Sequence, residues 1–224
     1  LGTGLAAADH WACAYDRAGV GQSDAAPEAR RTTRDQVSDL VALLDAAELE
    51  EPVVLVAHSF GSLPAVGLVD RAPERVAGVV LVDPLHPRVS AVQRAALPPQ
   101  KVDESPEVSD ERRFLMDYEF DPAQNRENLL RARSQEDVTI LLDEPGAIFG
   151  DLPVVVLQAP ELPYLPGLPR SYHRATVGAM LDGYRQFAAE STRGSLVQVE
   201  DTGHNIHEDQ PGVVIDAILE VLAG

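Results

Sequence analysis

The sequence has little cysteine and little positive charge, and each shortage excludes a class of protein. Cys13 is the single cysteine among 224 residues, so no disulfide can form within the chain and no cysteine-based metal site is possible. Lysine and arginine total 18 against 36 aspartates and glutamates, which gives a formal net charge of -18. Nucleic acids and anionic membranes carry the same sign, so we expect the chain to bind neither.

Long apolar runs are lacking too. None approaches the roughly 20 residues that span a bilayer. The start, LGTGLAAADH, has neither the basic head nor the apolar core of a signal peptide. These observations predict a cytoplasmic protein. The hydrophobic content of 45% is enough for a substantial core, and we expect one domain with an insertion.

Short apolar runs alternate with helix-like patterns along most of the chain. The runs are Trp11–Tyr15, Val53–Ala57, Val79–Val82, Val154–Leu157 and Leu196–Val199. Between them apolar residues recur at helical spacing, as at Val37, Leu40, Val41 and Leu44. This alternation predicts an α/β fold, with a mostly parallel sheet flanked by helices.

The stretch from Val82 to Val154 is several times longer than the usual crossover of roughly a dozen residues. It begins rich in charge and proline, and then has helical patterns at Glu111–Glu119 and Ala123–Leu142. We predict that residues 86–150 form an inserted helical cap, and that residues 1–85 and 151–224 form the core.

The sequence AHSFG, Ala57–Gly61, stands between an apolar strand-like run and a helical pattern. A nucleophile elbow needs small residues two before and two after its serine, because the tight turn brings their backbones together. Ala57 and Gly61 meet this requirement. We therefore predict Ser59 as a catalytic nucleophile.

A serine hydroxyl becomes a good nucleophile when a base takes its proton, and that base is usually a histidine oriented by a carboxylate. His204 follows the last predicted strand, so its loop should reach the elbow. We expect His207 to have a packing or hydrogen-bonding role, and His58 to be structural and to point away from the Ser59 hydroxyl. A metal site at His204 and His207 would need further ligands, so we expect no metal.

Three motifs together resemble the α/β-hydrolase superfamily: YDRAGVGQSD (Tyr15–Asp24), AHSFG (Ala57–Gly61) and GHNIHEDQP (Gly203–Pro211). The resemblance implies an esterase-like serine hydrolase with a helical cap, acting on a small-molecule ester without a cofactor. It also implies that Asp16 and Arg17 are structural and hold the turn that shapes the site.

The resemblance offers two positions for the acid of the catalytic triad. In much of the family the acid follows the strand after the cap, where this chain reads LQAPELPYLP and offers Glu161. In haloalkane dehalogenase relatives it ends the strand before the cap, which here reads VVLVDPLHP and offers Asp83. We predict Asp83 as the acid with Glu161 in reserve, the alternative being that Asp83 only caps a turn before Pro84.

The family's oxyanion hole takes one backbone N–H from the residue after the nucleophile, which here is Phe60. A second comes from a loop after a first strand that precedes the YDR motif. The sequence begins at Leu1, too late for that strand, so we expect the first strand or strands to be missing. If LGTG is the remnant of the loop, Leu1 or Gly2 supplies the second N–H; otherwise these residues are simply frayed.

The leading prediction is therefore a serine hydrolase that cleaves a small or medium carboxylic ester through an acyl-enzyme. Dehalogenases and epoxide hydrolases of this family carry an aspartate on the elbow, so Ser59 favours acyl transfer. Two alternatives stay open. The same triad could act on a thioester, a lactone or a carbon–carbon bond, or in perhydrolysis, or the chain could be a non-catalytic protein that binds a small molecule.

Overall fold

The described residues form one parallel sheet with helices on both faces. The computed structural model describes residues 2–118, 121, 123, 125–144, 147–160 and 166–224. The strands, in spatial order, are β1 (Val53–His58), β2 (Val76–Val82), β3 (Gly150–Gln158) and β4 (Ser191–Gln198). The helices are α1 (Gly2–Ala7), α2 (Thr33–Ala46), α3 (Ser62–Arg71), α4 (Val89–Ala96), α5 (Pro106–Met116), α6 (Arg131–Asp143), α7 (Arg170–Ala189), α8 (Ile206–Asp209) and α9 (Pro211–Ala223). The predicted fold class is confirmed.

Strand β2 is buried on both faces along most of its length, as its apolar run requires. On β2, Val79 and Leu81 belong to the core beneath α2, α3, α6 and α7. Val80 and Val82 alternate with them and belong to the opposite core, beneath α9. Successive strand residues point to opposite faces, so a strand covered on both sides reads as a continuous apolar run.

The helix starts follow local signals in the sequence. The Thr32 hydroxyl accepts a hydrogen bond from the N–H of Arg34 at 3.2 Å, and the Asp35 carboxylate accepts one from the N–H of Thr32 at 2.8 Å. This capping box opens α2, and Pro211 opens α9. Across the described residues, no helix combines the length and apolarity needed to cross a bilayer.

The strand predicted at Trp11–Tyr15 is wrong, because this segment has irregular structure. Trp11 is 98% exposed, and the segment is paired with none of the described strands. An apolar run becomes a strand only where a neighbouring strand takes up its backbone hydrogen bonds. Within the described part of the chain, β1 pairs with β2 alone.

The helix predicted to begin at Ala123 begins instead at Arg131. A turn precedes it, in which the side-chain oxygen of Asn125 accepts from the N–H of Leu129 and its amide donates to the Leu129 carbonyl. Asn128 has a positive φ of 58°, which an α-helix cannot contain. Side-chain hydrogen bonds to the backbone thus delay the start of the helix.

The long segment between β2 and β3 forms α4, α5 and α6. Helix α4 packs against α5 and α7, whereas α6 packs against α2 and α3 and places Val138 and Leu142 in the core. The division into a core (1–85 and 151–224) and a cap (86–150) stays a prediction.

His86, in the loop after β2, is a buried histidine whose titration should affect stability. Its Nε2 lies 3.1 Å from Oε1 of Gln186, and its ring packs edge-on against Phe187. Burial, reinforced by the charge of Arg88, lowers the pKa of His86 to about 4. The unfolded chain binds this proton near pH 6.5, so between about pH 6.5 and 4 the unfolded state holds more protons than the folded state.

Above about pH 6.5 the imidazole is neutral in both states, so the fold keeps its full stability. Between about pH 6.5 and 4 the unfolded chain binds the proton preferentially, and we expect the free energy of unfolding to fall by about 3 kcal/mol. The variant His86→Gln keeps a polar side chain that does not titrate, so its loss between these pH values should be smaller. Urea unfolding of both proteins at the two pH values measures the difference, because the carboxylates titrate in both. Equal losses would show that His86 does not control acid stability.

Candidate active site

Ser59 lies on a sharp turn between β1 and α3. Its φ is 51°, a left-handed conformation that few residues other than glycine adopt. A Cβ built on Gly61 would lie 3.8 Å from Cβ of Ala57, so these two small residues come together across the turn. Such a strained strand-to-helix turn is the geometry of a nucleophile elbow.

The elbow is tied to the loop that follows β2. The Ser59 carbonyl accepts hydrogen bonds from the N–H of Leu85 at 2.9 Å and from the hydroxyl of Ser62 at 2.8 Å. Ser62 is fully buried, and its hydroxyl also lies 2.8 Å from the Leu85 carbonyl. These contacts hold the elbow beside the loop that carries Asp83.

Asp83 directly follows β2 and is buried, with 2% of its surface exposed. Its N–H donates to the Leu157 carbonyl at 2.8 Å, and its φ of 41° turns the chain out of the sheet. Oδ1 accepts from the N–H of Ala159 at 3.1 Å and from the hydroxyl of Tyr184 at 2.8 Å. Ser59 and Asp83 thus both have left-handed backbones, a strain that clusters at functional sites.

His204 joins Ser59 and Asp83 into one hydrogen-bonded chain. It lies in the loop between β4 and α8, with Nδ1 2.6 Å from Oδ2 of Asp83 and Nε2 3.0 Å from Oγ of Ser59. In the neutral tautomer with its proton on Nδ1, the ring donates to Asp83 and accepts from the Ser59 hydroxyl. The structure therefore brings together the residues that the sequence predicted as nucleophile, base and acid.

The other predicted site residues have different outcomes. Phe60 stands in the 3-10 turn Ser59–Gly61, which leads directly into α3. Backbone N–H groups at the start of a helical segment have no intrahelical acceptor, so this position suits the predicted oxyanion donor. Leu1 and Glu161 lie outside the described residues, and their roles as second oxyanion donor and reserve acid stay predictions.

His58 supports His204 in a way that the sequence did not reveal. Its Nε2 lies 2.9 Å from the His204 carbonyl, and its ring centroid is 4.5 Å from that of His204 and 4.6 Å from that of His207. Burial is the main cause that lowers the pKa of His58, so the neutral ring with a proton on Nε2 can donate to that carbonyl. In the described part of the chain, no group of three or more His, Cys, Asp and Glu side chains could hold a metal ion.

Asp16 makes contacts within the turn that it was predicted to hold, whereas the side chain of Arg17 contacts a distant residue. Oδ2 of Asp16 accepts from the N–H of Gln22 at 2.9 Å, and a Cβ on Gly21 would lie only 2.2 Å from this carboxylate. Gly21 also has a positive φ of 55°, so the turn requires glycine there. Arg17 donates to both oxygens of Glu127 at 2.8 Å, a contact that no motif or spacing in the sequence indicates.

The chain is similar to known proteins in sequence and in fold. The alpha/beta hydrolase family matches residues 2–217. The protein YqjL of Bacillus subtilis (strain 168) is 26% identical over 210 residues, which cover 92% of this chain and 71% of YqjL.

The solved structures similar to the chain include two hydrolases. A thermophilic esterase from Thermogutta terrifontis is 19% identical with a TM-score of 0.57, covering 93% of this chain and 78% of the esterase. The 2-hydroxy-6-oxo-6-phenylhexa-2,4-dienoate hydrolase of Rhodococcus sp. strain RHA1 is 18% identical with a TM-score of 0.57. The match covers 93% of this chain and 78% of the hydrolase. The fold agrees with the family match, and the chain therefore belongs to the α/β-hydrolase family and is a hydrolase.

Proposed function

We propose that this hydrolase cleaves small or medium carboxylic esters through an acyl-enzyme formed on Ser59. The observation that carries the proposal is the continuous chain from Ser59 through His204 to Asp83, with links of 3.0 Å and 2.6 Å. A lone hydroxyl is a weak nucleophile. A histidine oriented by a buried carboxylate is the arrangement that activates it.

In acylation, Oγ of Ser59 bonds to the carbonyl carbon of the ester while its proton passes to Nε2 of His204. Asp83 holds the Nδ1 proton and stabilises the imidazolium that forms. The Phe60 N–H donates to the oxyanion, with Leu1 as the predicted second donor. The bond from carbon to the leaving oxygen then breaks, and His204 gives its proton to the departing alcohol.

Deacylation repeats these steps with water in place of the hydroxyl. His204 takes a proton from water as the water oxygen attacks the acyl carbon. The bond to Oγ of Ser59 then breaks, and His204 returns the proton to Ser59. The carboxylic acid leaves, and the proposal requires no cofactor.

The fold alone does not choose the bond that is cleaved. The Thermogutta esterase and the Rhodococcus dienoate hydrolase both share it, so thioesters, lactones and carbon–carbon bonds stay open as alternatives. We propose that residues 86–150 make the choice by covering Ser59 as a cap, because loops at the carboxyl ends of parallel strands usually carry specificity.

A series of p-nitrophenyl esters with increasing acyl length tests the function and the size of the covered site together. We expect kcat/KM to be highest for esters with short or medium acyl chains and to fall for esters with long ones. Labelling with a fluorophosphonate should modify Ser59 in the same preparation. A protein that neither hydrolyses any ester of the series nor takes up the label would refute the proposed acyl-enzyme on Ser59.

His207→Ala should keep ester hydrolysis within about tenfold of wild type. The ring of His207 packs at a tilt against that of His58, and its Nε2 lies 3.9 Å from the Glu208 carboxylate. None of its described contacts reaches Ser59 or Asp83. Steady-state kinetics on the preferred p-nitrophenyl ester measures the effect, and a larger loss than that of His204→Ala would mean that His207 is the base.

A further inference from the structure

Tyr184 places a hydroxyl on the side of Asp83 that faces away from His204. The side chain comes from α7 and is 2% exposed, and its hydroxyl donates to Oδ1 of Asp83 at 2.8 Å. His204 meets the other oxygen, Oδ2. We propose that Tyr184 is a positioning residue for hydrolysis, which fixes the Asp83 carboxylate and limits its basicity toward His204. The inference rests on the proposed serine hydrolase function.

The Asp83 carboxylate needs such a donor because it is buried. Among the described residues its one ion pair is with His204, which reaches Oδ2 only. A buried carboxylate is costly unless both oxygens accept hydrogen bonds. Oδ1 has two donors, the N–H of Ala159 at 3.1 Å and the hydroxyl of Tyr184 at 2.8 Å. The shorter bond is the one from Tyr184, and without it Oδ1 keeps one longer bond.

Helix α7 comes unusually close to the loop that carries Asp83. A Cβ built on Gly183 would lie 2.4 Å from Cβ of His86, so the close approach depends on glycine at this position. Tyr184 is the next residue along the helix. The glycine therefore lets the backbone come near enough for the tyrosine hydroxyl to reach the carboxylate behind the imidazole.

The hydroxyl of Tyr184 stays protonated, and so stays a hydrogen-bond donor, over the pH range in which the enzyme would work. Burial, with the negative charge of Asp83 adding to it, raises the pKa of Tyr184 far above its ordinary value. Among the residues that the structure describes, the titratable groups that interact with Asp83 are Tyr184, His204 and His58. His86, which lies against Gly183, interacts instead with Arg88 and Asp143.

Removing the hydroxyl should have two consequences. Because the transition state needs a correctly placed carboxylate, loss of a hydrogen bond to this charged group should lower kcat by about tenfold to a hundredfold. A carboxylate with fewer donors is also more basic and holds the imidazolium more strongly. The acid limb of the profile of kcat/KM against pH should then move to higher pH, by about half a unit to one unit.

The test compares Tyr184→Phe with Tyr172→Phe. Tyr172 is also buried on α7, but its hydroxyl donates to Glu111 on α5. Each variant therefore loses one buried hydroxyl from the same helix, and only one of them touches Asp83. We expect Tyr184→Phe to lower kcat by about tenfold or more with little change in KM, and to shift the acid limb. Tyr172→Phe should leave the acid limb at its wild-type position.

Replacing Tyr184 alone by 3-fluorotyrosine tests the same contact without removing it. Fluorine makes the phenol a stronger hydrogen-bond donor and leaves the size of the ring unchanged. We therefore expect this protein to fold even if Tyr184→Phe does not. A stronger donor withdraws charge from the carboxylate, and the acid limb should move to lower pH, opposite to the shift in Tyr184→Phe. Opposite shifts are not expected from a residue that only fills space.

Different results would refute the role of Tyr184 and the proposed hydrolase function. A wild-type protein that shows no hydrolysis and no fluorophosphonate label at Ser59 would refute the function. An active wild type whose acid limb is unmoved both in folded Tyr184→Phe and in the fluorotyrosine protein would overturn the positioning role and leave the function standing. Shifts of the expected signs, with Tyr172→Phe unchanged, would establish the role of Tyr184.

Discussion

Ser59→Ala should lower kcat for the preferred ester by about 10⁴ to 10⁶. The variant keeps the elbow but has no oxygen to attack the carbonyl carbon, so the acyl-enzyme cannot form. The backbone contacts of Ser59 with Leu85 and Ser62 use its carbonyl and survive the change. We therefore expect the free energy of unfolding to change by less than about 1 kcal/mol, measured by urea unfolding beside the kinetics.

Ser38→Ala is a matched control for this substitution. Ser38 is exposed on α2, and its hydroxyl donates to the Arg34 carbonyl one turn earlier in the same helix. The control should retain wild-type kcat and fluorophosphonate labelling at Ser59, whereas Ser59→Ala should show neither. Activity of Ser59→Ala within tenfold of wild type would remove Ser59 from the mechanism.

His204→Ala should lose about as much as Ser59→Ala, and the double variant should lose no more than either single one. Residues that act as one unit show such non-additive losses, because removal of either already abolishes the step they share. The 3.0 Å contact between Nε2 and Oγ predicts this coupling. Losses in the double variant that equal the product of the single losses would show that the two residues act independently.

Ser59, Asp83 and His204 could be predicted from the sequence because each follows the end of a strand. Ser59 comes directly after β1, Asp83 directly after β2, and His204 in the loop after β4. Parallel strands bring their carboxyl ends to one edge of the sheet, so residues far apart in sequence meet there. Strand ends can be read from apolar runs and the residues that interrupt them.

The supporting contacts could not be predicted in the same way. Tyr184 and Asp83 are 101 positions apart, and His58 and the His204 carbonyl are 146 apart. Tyr184 sits in an ordinary helical pattern, and what selects its partner is the packing of α7 against the sheet. The failed strand at Trp11–Tyr15 has the same cause, since pairing depends on a neighbour that the local sequence does not identify.

Asp83→Asn should lower kcat by about 10⁴, the size of the loss that this change produces in serine proteases with the same triad. The surroundings of Asp83 explain why the loss should be so large. The N–H of Ala159 and the hydroxyl of Tyr184 both donate to the Oδ1 position, so an asparagine must place its carbonyl oxygen there. Its NH₂ group then occupies the Oδ2 position and faces Nδ1 of His204.

An NH₂ group at that position donates to Nδ1 and so favours the imidazole tautomer with its proton on Nε2. Nε2 cannot then accept the proton of Ser59. The substitution therefore disables the base while the size of the side chain stays the same. Steady-state kinetics measures the loss, and a crystal structure of the variant should show the asparagine oxygen beside Tyr184.

Glu161→Gln provides the comparison, because Glu161 is the alternative acid that the sequence offered. We expect it to retain kcat within about threefold of wild type, since the buried position behind His204 is already filled by Asp83. The converse pattern, with Asp83→Asn nearly as active as wild type and Glu161→Gln strongly impaired, would transfer the role of acid to Glu161. It would leave Ser59 and His204 unaffected, because the link from His204 to Ser59 is independent of which carboxylate holds the far side of the imidazole.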